Sequence, residues 1–464
     1  MDEIAAKVLV IGGGPAGYVC AIRAGQLGLE TVLVEQAEFG GTCLNVGCIP
    51  SKALIHVADA FHAAQGHAGS GAFGLSVGSA SLDFAKTIAW KDSIVGRLTG
   101  GVKSLLKKSS VRIVEGRATI EDGKTCIVST SRGDMRIRAE HLVLATGSEP
   151  AALSALPFGG SVLSSTDVLT LTAVPQHLVV VGAGYIGLEL GTAFAKMGAQ
   201  VTVVEAAERI LPAWDEELTR PVAKRLGSLG VEVRTANFAQ GLTDDGSTLT
   251  VKHVNGDVSL LAADNILVAV GRKPRTQGFG LERLDLAFDG PFVAIDRRCA
   301  TSMRHVWAIG DLTGEPMLAH RAMAQGKLVA EVIAGQRREF DHRAIATICF
   351  TDPEIVTVGL LPEQAKASNV SVATARFPFA ANGRALTQGD ELGFIRVVTR
   401  ADNDLVLGIQ AVGAGVSELA AGFALALEMG ATVEDIAGTI HAHPTRSEAF
   451  QEAALGASGY ALHI

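Results

Sequence analysis

The 464-residue chain has no run of about 18 uninterrupted apolar residues, which excludes a membrane-spanning helix. Its start, Met-Asp-Glu, carries no basic segment and no small-residue cleavage site, so a secretory signal peptide is not expected. Positive charge is in deficit. The net charge of −8 argues against a nucleic-acid-binding surface, and Lys107–Lys108 and Arg337–Arg338 read as solvated faces. Six cysteines are too few for a disulfide scaffold. Aromatic residues are scarce at 5%, and there are only 14 prolines.

Glycine, by contrast, is abundant: 53 residues, about 11% against a usual ~7%. No collagen-like period is present, so the excess must sit in tight turns or close-approach loops. Hydrophobic residues at 48% and charged residues at 19% exclude disorder. At roughly 100–200 residues per domain the length predicts about three domains.

Two segments repeat 170 residues apart. The first is Lys7-Val-Leu-Val-Ile-Gly-Gly-Gly-Pro-Ala-Gly17, continuing to Val32-Leu-Val-Glu35. The second is His177-Leu-Val-Val-Val-Gly-Ala-Gly-Tyr-Ile-Gly187, continuing to Val201-Thr-Val-Val-Glu205. Each reads as buried parallel strand, glycine turn, helix, second strand and acid. Gly12 and Gly182 allow the turn, Gly14 and Gly184 let the backbone approach a pyrophosphate, and Gly17 and Gly187 let helix and strand pack closely. The helix N-termini offer free N–H groups to phosphates. Glu35 and Glu205 are placed to accept from ribose hydroxyls, and a carboxylate at Glu205 disfavours a 2′-phosphate, hence NAD over NADP. Two ordinary glycine turns are the plainer alternative. The doubled context favours two dinucleotide sites.

After the first unit comes Gly40-Gly-Thr-Cys-Leu-Asn-Val-Gly-Cys-Ile-Pro-Ser-Lys52. Cys43 and Cys48 do not have zinc-ribbon spacing, and no Cys/His cluster adds ligands, so no metal is expected. Two thiols beside a helix start suit a small-ring redox disulfide. Cys20, Cys126, Cys299 and Cys349 read as core or surface thiols.

This segment resembles the active-site stretch of the FAD-dependent pyridine nucleotide–disulfide oxidoreductases, and is most similar to its dihydrolipoamide dehydrogenase branch. The resemblance runs along essentially the whole chain. It implies an α/β fold with two Rossmann-like dinucleotide-binding domains, for FAD and NAD, and a C-terminal α+β dimerisation domain. The boundaries expected are 1–149 for the first FAD part, 150–272 for NAD, 273–343 for the second FAD part and 344–464 for dimerisation. Cys43 would exchange with substrate, Cys48 would face the flavin, and Lys52 would lie near it. Leu142-Val-Leu-Ala-Thr-Gly-Ser148, with Thr146 and Gly147, resembles the strand closing the first FAD half. Leu267-Val-Ala-Val-Gly-Arg272, with Gly271, resembles its NAD counterpart. Val306-Trp-Ala-Ile-Gly-Asp311 resembles the second FAD motif. There Gly310 and Asp311 would meet the ribityl chain, and Met317, Leu318, Ala319 and His320 the flavin edge. Thr42 would also touch FAD. Ile186 and Glu189 match positions near the nicotinamide, with Glu189 close to Lys52. Met323-Ala-Gln-Gly326 departs from the acidic residues common at that place.

In His441-Ala-His-Pro-Thr-Arg-Ser-Glu448, the resemblance makes His443 the general base and Glu448 its orienter. Arg446 stands where leucine is common. It either adds charge near the site or faces solvent. The family builds each site from two subunits, which implies a homodimer. The implied reaction oxidises dihydrolipoamide carried on a lipoylated E2, or on a glycine-cleavage H-protein, with NAD+ as acceptor, in the cytoplasm. Trp307–Gly326 is similar to bacterial forms serving branched-chain 2-oxoacid dehydrogenases. The alternatives are a glutathione or mercuric type of disulfide reductase, or a non-catalytic flavoprotein sensor or scaffold. Glu205 opposes the first, the lack of cysteine after Cys349 the second, and the intact Cys43, Cys48, His443 and Glu448 the third.

Overall fold

Val8, Leu9 and Val10 are fully buried because β1 (Asp2–Ile11) is covered on both faces. Complete burial of such a side chain contributes roughly 1.5–3 kcal/mol. The computed structural model describes residues 2–66, 74–243 and 246–464. From β1 the chain passes through α1 (Pro15–Gln26), β2 (Thr31–Glu35), α2 (Gly41–Val46), α3 (Cys48–Gly66) and α4 (Phe84–Lys108). Then come β3 (Arg112–Glu115), β4 (Arg117–Ile120), β5 (Thr125–Thr130), β6 (Gly133–Leu144) and β7 (Ser148–Pro150). The sheet order is β3-β2-β1-β6-β5-β4, with Val10 opposite Leu33 on one side and Val143 on the other.

The second unit holds β8 (Val162–Leu163), β9 (His177–Val181), α5 (Tyr185–Lys196), β10 (Gln200–Val204), α6 (Glu216–Ser228) and β11 (Glu232–Arg234). An antiparallel meander follows: β12 (Asn237–Leu242), β13 (Thr248–His253) and β14 (Val258–Ala262). Then β15 (Asn265–Val268) completes a parallel sheet in the order β11-β10-β9-β15-β8. β16 (Arg272–Pro274) pairs antiparallel with β7, tying the two units where the chain enters and leaves the second. A small hairpin, β17 (Phe288–Asp289) and β18 (Phe292–Val293), precedes β19 (Val306–Ala308), which rejoins the first sheet beside β6. Helix α7 (Ala319–Ile333) then packs on α1 so closely that a Cβ at Gly326 would stand 2.3 Å from the Ala16 carbonyl oxygen.

The C-terminal part is an antiparallel sheet in the order β20-β21-β24-β23-β22. Its strands are β20 (Thr347–Cys349), β21 (Glu354–Gly359), β22 (Val372–Pro378), β23 (Phe394–Arg400) and β24 (Val406–Gly413). Its helices are α8 (Pro362–Ala367), α9 (Gly383–Gln388), α10 (Ala420–Glu428), α11 (Val433–Gly438) and α12 (Glu448–Ala457). The sequence predicts strands over 345–350, 394–399 and 405–412 and helices over 417–429 and 445–455. It does not single out β21 or β22. β22 is an edge strand with alternating partial exposure, so it carries little apolar signal. No helix among the described residues is long and apolar enough to cross a membrane.

Candidate active site

The two glycine turns have the same local construction. Gly12 and Gly182 both sit at φ +105°, where a side chain is strained, and a Cβ there would lie 2.3 and 2.6 Å from the carbonyl oxygens of Ala145 and Ala269. Gly17 and Gly187 abut the carbonyls of Gly12 and Gly182, at 1.8 and 2.1 Å from an added Cβ. The middle glycines differ. A Cβ on Gly184 would meet nothing within 4 Å, and one on Gly14 only the Gly41 Cα at 3.8 Å. Open space therefore lies over the N-termini of α5 and α1, where free N–H groups favour an anion.

The acids at the ends of β2 and β10 hold these turns. Glu35 accepts from the amides of Gly13 (2.6 Å) and Ala37 (2.8 Å), and Glu205 from those of Ala183 (2.6 Å) and Ala207 (2.7 Å). This bracing role is absent from the sequence reading, which gives both acids to ribose alone. Arg209 donates to the carbonyls of Trp214 and Pro212 and so stiffens its own loop.

A cleft of about 830 Å³ opens above the first turn. It is lined by Gly12, Gly14, Glu35, Thr42, Cys43, Cys48, Lys52, Thr146, Gly147, Ile186, Glu189, Gly310, Asp311, Met317 and Ala319. Residues from positions 11 to 322 thus meet around one space. Gly17 lies behind the turn. Leu318 and His320 are not among the lining residues: Leu318 precedes α7, and the His320 ring bonds the Ala346 carbonyl at 2.8 Å.

Gly47 separates α2 from α3, which places Cys43 in the short first helix and Cys48 at the first position of the second. Both thiols are free, Cys48 open to the cleft and Cys43 half-buried. The hydrogen bond from the Cys43 thiol lowers the Cys48 pKa to about 7. Burial opposes that shift, and the Lys52 charge, one turn along α3, adds to it. The same hydrogen bond, with burial, pushes Cys43 up. One proton is therefore shared unequally between the pair.

Lys52 Nζ bonds Glu189 Oε2 at 2.7 Å and lies 4.4 Å from the centre of the Phe350 ring. The other Glu189 oxygen accepts from the Phe350 amide at 2.9 Å, so this buried acid is fully engaged. Across the cleft, Ser148 Oγ donates to Asp311 Oδ2 (2.5 Å), and Arg272 Nε donates to Ser148 Oγ (2.8 Å). Gln325, also buried, accepts the Gly310 amide at 2.8 Å. That contact explains the departure at Met323-Ala-Gln-Gly326: a neutral amide oxygen suffices to hold the Gly310 turn. The roles of Ser148, Gln325 and the Phe350 amide depend on contacts between distant segments, which sequence spacing does not carry. Gly271, at φ +133° between β15 and β16, turns the chain back toward this cleft.

His443 and Glu448 stand elsewhere. Ring Nδ1 of His443 lies 2.8 Å from Glu448 Oε1, and Glu448 Oε2 accepts the Thr445 amide at 2.8 Å. Burial pushes Glu448 up, but the Thr445 and His443 hydrogen bonds outweigh it and hold the carboxyl below its ordinary range. A carboxylate only accepts, so Nδ1 carries a proton, and the neutral ring has its lone pair at Nε2. The His443 side chain is 79% exposed, and neither residue lines the cleft of its own chain. Arg446 is half-buried, two residues before Glu448. It reaches the Asp390 carbonyl at 3.1 Å and covers the Phe379 ring. Among the described residues no group of three or more His, Cys, Asp or Glu could hold a metal ion.

Residues 6–326 match the family model described as pyridine nucleotide-disulphide oxidoreductase, and residues 345–454 match the dimerisation domain of that family. A dihydrolipoyl dehydrogenase of Pseudomonas aeruginosa is 58% identical over 99% of this chain and 98% of its own length. One from Geobacillus stearothermophilus is 44% identical over 99% and 98%. Among solved structures, LpdA of Mycobacterium tuberculosis matches with a TM-score of 0.87 at 26% identity, covering 97% of this chain and 99% of its own. The HOCl-induced flavoprotein disulfide reductase RclA of Escherichia coli matches with a TM-score of 0.85, also at 26% identity, over 97% and 99%. The repeated glycine turns, the paired thiols and these matches along nearly the whole chain have one conclusion: the chain belongs to the pyridine nucleotide-disulphide oxidoreductases.

Proposed function

We propose that this chain oxidises dihydrolipoamide to lipoamide and reduces NAD+ to NADH, as dihydrolipoyl dehydrogenases do. The observation that carries the reading is the thiol pair on either side of the α2–α3 junction, opening into the cleft over the first glycine turn. The residues present fit both cofactors. Gly12, Gly14, Glu35, Thr146, Gly310 and Asp311 would hold FAD, and Gly182, Gly184, Gly187 and Glu205 would hold NAD. Residues 1–149 and 273–343 then form the FAD part, 150–272 the NAD part and 344–464 the dimerisation part. FAD, when bound, supplies the two-electron relay from the reduced thiol pair to NAD+.

The protein's own residues perform the exchange. In the oxidised enzyme Cys43 and Cys48 are joined. His443 Nε2, with Nδ1 held by Glu448, takes the proton of one substrate thiol. The substrate thiolate attacks Cys43 Sγ, forming a mixed disulfide and breaking the Cys43–Cys48 bond. Cys48 leaves as a thiolate, favoured by the α3 N-terminus and the Lys52 charge. The second substrate sulfur attacks the first, and its proton passes by way of His443 to Cys43 as that sulfur leaves. This closes the lipoamide disulfide, frees the Cys43 thiol and leaves the first substrate proton on His443. Two electrons have passed from substrate to the protein pair.

Because His443 does not line the cleft of its own chain, we place it in the cleft of a partner subunit, in a homodimer. The match to a dimerisation domain supports this. So do Leu425, Met429 and Ile440, apolar side chains left 62%, 76% and 96% exposed in that part. Lipoamide would arrive on an E2 or H-protein in the cytoplasm. Anaerobic mixing of the purified flavoprotein with dihydrolipoamide and NAD+ tests the reading through NADH absorbance. NADH formation supports it. Silence there, with turnover of glutathione disulfide and NADPH, overturns the substrate assignment.

Two further outcomes are expected. Alkylation of the reduced pair by iodoacetamide accelerates as pH rises through about 7, because the thiolate of Cys48 is present above that value and protonated below it. Onset only in the ordinary thiol range would contradict the lowered value. Gly184→Ala folds with an unchanged Tm, since its Cβ meets no protein atom and φ is −74°. It nevertheless raises KM for NAD+ by about tenfold, because the methyl takes the space of the pyrophosphate. Gly187→Ala is the contrast: its Cβ collides with Gly182 and lowers Tm.

A further inference from the structure

Helices α3 and α5 are joined twice. Lys52 of α3 meets Glu189 of α5 at 2.7 Å, and Asp59 of α3 meets Lys196 of α5 at 2.6 Å, both pairs being 137 residues apart in sequence. Seven residues along each helix separate the pairs, two turns or roughly 10.5 Å. The polarity is reversed between them, so sliding either helix by one turn breaks both pairs and by two turns sets lysine against lysine or acid against acid. One further segment reaches both levels. The Phe350 amide bonds Glu189, and Asp352 bonds Lys196 at 2.6 Å. Asp352 also receives Arg225 of α6 at 2.8 Å. The Lys196 side chain is only 7% exposed.

We propose that Lys196 is a positioning residue for the redox thiols: by holding Asp59 and Asp352 it sets the register of α3 on α5, and so keeps Cys48 and Lys52 against Glu189. One ion pair between two rods leaves them free to rotate about it. A second, two turns away, removes that freedom. The arrangement also joins three functions in one body, because α3 begins at Cys48, α5 begins at the second glycine turn, and Phe350–Asp352 belongs to the C-terminal part. Facing Cys48 are Cys43, Lys52, Glu189 and Tyr185. Facing Lys196 are Asp59, His62, Arg225 and Asp352.

The inference rests on the proposed role of Cys48, and its test keeps the two separable. In the full-length flavoprotein, Lys196→Met moves the pH midpoint for alkylation of the reduced pair upward by about one unit, because Lys52 is no longer held in place. It lowers kcat with dihydrolipoamide about tenfold, with KM within about twofold. Lys196→Arg restores both. Asp59→Asn, at a more exposed position, shifts the midpoint in the same direction by less, and decides the matter if Lys196→Met does not fold. An unmoved midpoint, with or without a lower Tm, overturns the positioning role and leaves a structural tie. A wild-type protein that makes no NADH from dihydrolipoamide overturns the functional reading instead, while the midpoint still decides the positioning.

Discussion

Cys48→Ser is expected to abolish NADH formation from dihydrolipoamide, by at least ~10³-fold, while the protein stays folded and yellow. The loss is large because the step is an exchange between sulfurs: without the second thiol, no internal disulfide exists to accept the substrate's electrons. Serine is nearly isosteric, and Cys48 opens to the cleft rather than packing in a core, so folding should tolerate the change. Cys43→Ser should lose turnover equally, and its serine hydroxyl can still donate to the remaining thiol, Cys48, which keeps a lowered pKa. The two variants therefore differ in the pH at which the surviving thiol alkylates, Cys43→Ser reacting at the lower pH because burial pushes the Cys43 thiol up. NADH absorbance and flavin content measured on the same sample check the result. Retention of more than a few per cent of turnover in Cys48→Ser would remove the pair from the mechanism.

His443→Gln should lower kcat with dihydrolipoamide by about 10²–10⁴-fold, the usual span for loss of a general base. Reduction of an artificial one-electron acceptor by NADH, which needs no thiol proton transfer, should stay within about twofold of wild type. The shared-site arrangement gives a sharper form of this result. If His443 serves the partner's cleft, two inactive parents, Cys48→Ser and His443→Gln, should complement when their subunits are reassorted. A mixed dimer has one cleft with both Cys48 and a partner's His443, so random mixing should recover about a quarter of wild-type turnover. No recovery, with mixed dimers present by mass, would mean that each chain completes its own site.

The turns and strands around the cofactors were legible because their chemistry is local. A buried strand, three spaced glycines and an acid specify a unit within about thirty residues, and the repeat of that unit at 177–205 is visible without any structure. The thiol pair was legible for the same reason. The register of α3 on α5 was not, since Asp59, Lys196 and Asp352 look like ordinary surface charges until three segments are packed together. Nor did spacing separate the two duties of Glu35 and Glu205, because a carboxylate that braces a turn and one that meets a ribose occupy the same place in a strand-end pattern. β22 escaped because an edge strand with Arg376 and alternating exposure has too little apolar content to stand out.

The large cleft draws its walls from segments scattered between residues 11 and 322, and an occupant there touches all of them at once. Whatever fills it binds the folded chain and not the unfolded one, so it acts on the folding equilibrium by mass action, contributing about 4 kcal/mol at a thousandfold excess over its Kd. Heat resistance then becomes a property of supply. Protein stripped of its dinucleotide should unfold at a temperature that climbs with added FAD, and growth conditions that limit the flavin would limit the lifetime of the chain as well as its activity.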